Sequence, residues 1–327
     1  MRARNLVATF VVLACVIAVL PVAVRAQAPT AVLLSCSGEV TIVRGGSEIK
    51  GTFGLNLEAG DEIRTGADSA AEIHFDDGNW VRMGANSSMQ VKGQRSASTA
   101  DPAAGGKIAA SGSMGKQSFQ TVQNFIKLKD SEGSSSMARL RSADEQPELH
   151  AESPRQTVVR GLPVFVWKAT DPATELKLNV YNETGVHWEQ VVRGATALSY
   201  PEDAPALEPG TAYSWTLETT DPLKFPPLRS QAAFFEILSP EDDEKLVAAL
   251  DECAQSEGNK ASVSAEHVVR ASLYFEYNLL DDAIAETKEA IAVDPENPAL
   301  RSILARLYAQ TGRSAEALDE YNKLQDK

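Results

Sequence analysis

Four histidines, His74, His150, His187 and His267, are the residues best suited to ligate a metal or move a proton, and no two of them stand at ligand spacing. The chain holds no His-Glu-x-x-His, Gly-x-Ser-x-Gly or paired-cysteine motif, so the spacings that build zinc, serine-nucleophile or redox centres are absent from it. Asp76-Asp77-Gly78-Asn79 offers oxygen ligands, but a calcium loop requires further carboxylates in order after it. The stretch Gly112 to Ser118 has the flavour of a phosphate-binding loop. It fails where Ala110 replaces the first glycine and Gln117 replaces the metal-binding hydroxyl. Asp61 follows Gly60 between two apolar runs and is expected to bond nearby backbone amides, as turn aspartates do. The expectation is a protein with no catalytic centre and no cofactor.

The elements that carry these residues differ along the chain. Residues 1–26 read as a targeting segment: Arg2 and Arg4, an uncharged run from Leu6 to Val24, then Val24-Arg25-Ala26 as a cleavage point. The run is nineteen residues long, so an uncleaved anchor is the alternative, and it would be the only membrane contact. Either way the rest is expected to be periplasmic or extracellular. Cys15 sits in that run in a loose lipid-attachment context, while Cys36 and Cys253 lie in different modules and read as isolated buried thiols. Formal charge is −14, and with three arginines and no acid in residues 1–26 the remainder carries −17. No basic stripe exists for nucleic acid.

From Gly38 to Val91 short runs alternate apolar and polar residues between turn residues, the period of half-buried strands. A three-residue loop at Asp76-Asp77-Gly78, with Gly78 left-handed, sets Ile73 opposite Val81 and Ala71 opposite Met83, so that all four face one core. The order Gly38-Glu39-Val40, Leu57-x-x-Gly60-Asp61-x-Ile63-x-Thr65-Gly66, Asp77-Gly78 and Asn86-Ser87 resembles the FecR domain, a small β-rich extracytoplasmic module. That resemblance implies a β-rich domain over residues 30–93 and a ligand-sensing role in signalling. Only five residues precede the apolar run, whereas the ferric-citrate regulator has a cytoplasmic segment there.

Residues 94–153 read as a linker. Gln94 to Ser113 is rich in Ser, Ala and Gly and is expected to be a loop. Phe119, Val122, Phe125 and Ile126 predict a short amphipathic helix over 117–129, packed on a neighbouring sheet or docking a partner. In residues 154–238 several alternating runs predict a sandwich with Trp167 and Trp215 in its core. Leu207-Glu208-Pro209-Gly210-Thr211-Ala212-Tyr213 resembles the tyrosine corner of fibronectin type III domains, which implies that the Tyr213 hydroxyl bonds backbone just upstream. Trp80 and Trp188 are candidate exposed aromatics for a cell-wall glycan.

Residues 239–327 are helical. Ser239-Pro240-Glu241-Asp242-Asp243 opens a helix with a capping hydroxyl, Pro in the first turn and acids at the positive end. A thirty-four-residue period then relates Tyr274 to Tyr308, Ala283 to Ala317 and Ile284 to Leu318, with Asp294-Pro295 closing the first unit. Asp281 and Ser314 are expected to cap the second helix of each unit, and Asn297 to open the second unit. The pattern resembles the tetratricopeptide repeat, in units at 264–297 and 298–327. It implies a groove that binds a protein or peptide, with Tyr274, Asn278, Arg301 and Tyr308 as partner-binding candidates. The fold class expected is therefore multidomain, β then α: FecR-like β domain, fibronectin-like sandwich, helical repeats. Its expected role is an envelope scaffold or adaptor. FecR-type sensing and polysaccharide binding are the alternatives.

Overall fold

The structure, a computed structural model, describes residues 30–92, 108–113, 116–130, 148–171, 174–221, 226–256 and 263–325. The targeting segment, Cys15 and most of the linker lie outside them.

The N-terminal module is built from β1 (Ala31–Ser37), β2 (Val40–Arg44), β3 (Ser47–Lys50), β4 (Asn56–Leu57), β5 (Glu62–Thr65), β6 (Ala70–Phe75), β7 (Asn79–Met83), β8 (Ser88–Gln90) and β9 (Ile108–Ser113). Two antiparallel sheets form, in the orders β4-β1-β6-β7-β9 and β3-β2-β5-β8. Leu33, Ile42, Ile63, Ile73, Val81, Met83 and Met89 fill the space between them. Ala71 pairs with Met83 and Ile73 with Val81, as the three-residue loop requires. Gly78 takes φ 89° and donates its N–H to the Phe75 carbonyl at 3.0 Å.

Two expectations change here. Ile108–Ser113, read as loop, is strand β9 and pairs along β7 from Met83↔Ile108 to Asn79↔Ser113. Its small residues carry little strand propensity, but the open edge of β7 supplies the ladder that propensity could not announce. The half-buried reading of 71–75 also falls short, because Ala71 through Phe75 are all buried. Their sheet is covered on both faces, and such strands lose the polar half of the alternation.

The second cover is α1 (Lys116–Ile126), which continues as a 3-10 turn over Lys127–Asp130. Phe119, Val122, Phe125 and Ile126 are buried at 7% exposure or less. They meet Val32, Leu34 and Trp80 of the sheet in one cluster. Gly54, at φ 73°, lets this helix close in, since a Cβ there would meet Ile126 at 2.5 Å.

The sandwich contains β10 (Leu149–Ser153), β11 (Thr157–Val159), β12 (Val164–Ala169), β13 (Leu176–Asn182), β14 (Gly185–Val192), β15 (Ala197–Ser199), β16 (Ala212–Thr219) and β17 (Ala233–Ile237). It starts before the expected boundary at Pro154, because β10 pairs with β12. The sheet orders are β10-β12-β15 and β11-β17-β16-β13-β14. β11 runs parallel to β17. Trp167 and Trp215 are core residues, exposed by 1% and 0%. The Tyr213 hydroxyl accepts the Glu208 N–H at 2.8 Å, the bond a tyrosine corner makes.

Five helices follow: α2 (Pro240–Ser256), α3 (Val263–Glu276), α4 (Leu280–Val293), α5 (Pro298–Gln310) and α6 (Ser314–Gln325). Ser239 Oγ accepts the Asp242 N–H at 3.1 Å, and Asn297 Oδ1 accepts that of Ala299 at 3.1 Å, so both caps stand where expected. Ala283, Ala290 and Ala317 are fully buried, and with no side chain beyond Cβ they let neighbouring helices approach closely.

Candidate interaction surfaces

The faces of α3 and α5 turned away from their own hairpin partners are the natural place for a bound peptide. Here they are occupied by the chain itself. Phe125 of α1 lies with its ring centroid 5.7 Å from that of Phe275 on α3. Ser302 Oγ on α5 donates to the Lys129 carbonyl at 3.2 Å. One apolar cluster runs without a break from Val32 and Trp80 through α1 to Val268, Leu280 and Leu304. Lys129 Nζ reaches the Phe53 carbonyl at 3.0 Å, and Gln123 Nε2 reaches Asn56 Oδ1 at 3.1 Å. Burial pushes the Lys129 ammonium below its usual range, against the pull of Asp130. The stripe on α1 thus packs on a sheet and on the repeats at once.

The sandwich holds the other side of the helical domain. Asn278, at φ 56°, offers its carbonyl to the Val158 N–H at 2.9 Å and to Thr157 Oγ1 at 3.0 Å. Thr157 Oγ1 in turn accepts the Leu280 N–H at 2.9 Å, so α4 is capped by another module. Asp281 is therefore not the cap, which falls at Leu279 without a side-chain bond. Asp281 accepts instead from Ser153 at 2.7 Å and pairs with Arg313. Lys168 of β12 meets Glu316 of α6 at 2.8 Å.

The residues singled out as partner-binding candidates all serve this internal framework. Tyr274 and Tyr308 pack on the shared core, and burial raises both phenols above their usual range. Arg301 bridges Glu320 at 3.2 Å and the Pro295 carbonyl at 3.1 Å. Trp80 is not an exposed aromatic: it is 2% exposed, because its side of the sheet is roofed by α1. Trp188 is half-buried, with its ring centroid 4.9 Å from Tyr200 and 6.4 Å from Phe165. Both tryptophans belong to cores.

Asp61 bonds a local amide as expected, accepting the Glu58 N–H at 2.8 Å. The sequence reading missed its main partner. Arg44 donates Nε to Oδ1 at 2.9 Å and a terminal nitrogen to Oδ2 at 2.7 Å, a bidentate clamp on a carboxylate 1% exposed. His74 is fully buried between Trp80 and Phe119, with Ser118 Oγ 3.3 Å from Nε2, and burial pushes it down to about 3. A histidine held neutral at that value moves no proton near neutrality. Among the described residues no three His, Cys, Asp or Glu side chains gather where a metal ion would fit. Cys36 and Cys253 form no disulfide with each other, Cys253 being buried and Cys36 half-buried, and burial with Asp294 nearby pushes Cys36 up to about 12.

Two clefts lie between modules. One of about 660 Å³ is lined by Cys36, Lys50, Phe53, Lys129, Asn297 and Ser302. The other, about 460 Å³, has Glu236, Ser239, Asp242, Lys245, Tyr277 and Asn278 on its walls.

Residues 274–327 match the tetratricopeptide repeat. The match covers α4 to α6 and the end of α3, and leaves the two β modules unassigned. No curated protein is matched by this chain. Among solved structures, the crystal structure of a multi-domain immunophilin from Arabidopsis thaliana aligns with 55% of this chain and 97% of its own at 10% identity. Its TM-score of 0.22 is too low to argue from. The matched stretch folds as α4 followed by the α5/α6 hairpin, and one flank of α3 and α5 is already filled.

Proposed function

We propose that the chain is a non-enzymatic scaffold or adaptor of the cell envelope that binds a protein partner. In this reading the N-terminal segment exports it, the first module is FecR-like and the second fibronectin-like. The observation that carries it is the contact of α1 with both the N-terminal sheet and the repeats, through Phe125 and Phe275. Two repeats alone bury little core, since each unit needs neighbours. Here α1, α2 and the sandwich are those neighbours, so the modules present fixed outer surfaces rather than a hinged groove. The tetratricopeptide match supports protein contact, and the tyrosine corner at Tyr213 supports the fibronectin-like reading.

Chemical crosslinking of the intact protein in envelope fractions, followed by peptide mass spectrometry, tests this. Crosslinks from the outer faces of α4 and α6 to one recurrent protein are expected. Crosslinks confined to this chain would sink the adaptor role. The mature N-terminus, read by mass spectrometry from the same fractions, is expected to begin after Ala26.

A further inference from the structure

The cleft of about 660 Å³ between the N-terminal module and the repeats is lined by charges of both signs that do not pair with one another. Lys50, at the end of β3, and Lys129, in the 3-10 turn after α1, come from one side of the junction. Asp294 and Glu296, on the turn from α4 to α5, come from the other. Neither lysine forms an ion pair with any described residue. Lys129 donates to the Phe53 carbonyl at 3.0 Å, and its other two protons have no partner among the described residues.

Half-buried, the Lys129 ammonium is pushed below its usual range, as befits a charge short of a counterion. Asp130, next in sequence and exposed, pulls the other way without closing a bridge to it. Asp294 accepts the Asn297 side-chain N–H at 3.0 Å, which holds its carboxylate in place. Phe53 and Leu324 add apolar surface to the same cleft.

A ligand of one sign suits this cleft poorly. An anion drawn to the lysines meets Asp294 and Glu296, and a cation drawn to those carboxylates meets the lysines. A molecule with a carboxylate at one end and an ammonium at the other satisfies both sides through charge-assisted hydrogen bonds. Its length follows from the space. A round cleft of 660 Å³ is about 11 Å across, close to the span of an extended tripeptide at roughly 3.4 Å per residue. The volume also lies within the range of small-molecule sites, which favour such junctions between domains. Aliphatic side chains between the two ends would lie against Phe53 and Leu324.

We propose that this cleft binds a short zwitterionic peptide, its free carboxylate on Lys50 and Lys129 and its free ammonium on Asp294 and Glu296. The site is independent of the adaptor role, because it is tested on the purified intact chain without a protein partner. Calorimetric titration with Ala-Ala-Ala and Ala-Leu-Ala, each also in N-acetylated and in C-amidated form, gives the readout. Saturable one-to-one binding of at least one free tripeptide is expected, and blocking either end should weaken it at least tenfold. Lys50→Gln, at an exposed position that the fold does not need, should weaken it at least fivefold, and Asp294→Asn likewise. Lys288→Gln, exposed on α4 outside the cleft, should leave it unchanged. No binding of either free tripeptide at millimolar concentration would overturn the proposal. So would undiminished binding of a blocked form, or wild-type affinity in Lys50→Gln or in folded Asp294→Asn.

Discussion

The hydroxyl of Thr157, on the parallel edge strand of the sandwich, accepts the N–H of Leu280 at 2.9 Å and caps a helix 123 residues away in sequence. The same oxygen donates to the Asn278 carbonyl at 3.0 Å. One side chain thus serves both a helix terminus and a module boundary. Thr157 is 3% exposed, so water does not replace it. Thr157→Val is expected to cost about 1–2 kcal/mol, the usual cost of losing such a cap, and Thr157→Ser to restore most of it. Urea unfolding of the three proteins measures this. Equal midpoints for Val and Thr would refute it.

Phe125 is the apolar link between the N-terminal sheet and the repeats, with 0% exposure and a ring contact to Phe275. Phe125→Ala should destabilise by about 3–5 kcal/mol through the cavity it leaves. Because one cluster spans both modules, hydrogen exchange should rise in β1 and α3 together. A change confined to α1 would show that the modules are not coupled.

Burial moves His74 from 6.5 down to about 3, so between those values the unfolded chain binds a proton that the folded chain refuses. Stability is therefore undiminished above 6.5 and is lost as pH falls toward 3, by about 2 kcal/mol at pH 5. His74→Phe removes that component. Its unfolding free energy should depend less on pH between 6.5 and 5 than that of the wild type, as measured by denaturant titration at each pH.

Asp61 holds Arg44 by two hydrogen bonds while nearly fully buried, whereas the Arg44 side chain is 31% exposed. Partial exposure of the arginine limits the cost of losing the pair. Asp61→Asn is expected to destabilise by about 2–3 kcal/mol, measured by thermal or urea unfolding. Added salt should not reproduce the loss, since screening is weak for a buried carboxylate.

Cys36 and Cys253 form no disulfide with each other and sit in separate modules, and burial with Asp294 nearby holds the Cys36 thiol protonated. Iodoacetamide at pH 8 should leave buried Cys253 unmodified and label Cys36, half-buried on a cleft wall but held protonated, far more slowly in the folded protein than in urea, as peptide mass spectrometry would read. Reductant should not shift the thermal midpoint. A shift would mean that a disulfide contributes.

The amino-acid sequence by itself determined what local pattern controls. The hairpin at Asp76-Asp77-Gly78 followed from the period of two and a left-handed glycine. The Ser239 and Asn297 caps, the alanines at the helix crossings and the Tyr213 corner followed from residue type at fixed offset. The α1 stripe was legible as apolar and as packing on a neighbouring sheet, but not as packing on the repeats as well. Tertiary structure alone decided that Trp80 lies inside, that Ile108–Ser113 is a strand, that Thr157 rather than Asp281 caps α4, and that α1 fills the flank of the repeats. Each depends on residues distant in sequence, and local propensity holds no information about which neighbour will roof a surface or supply a missing hydrogen bond.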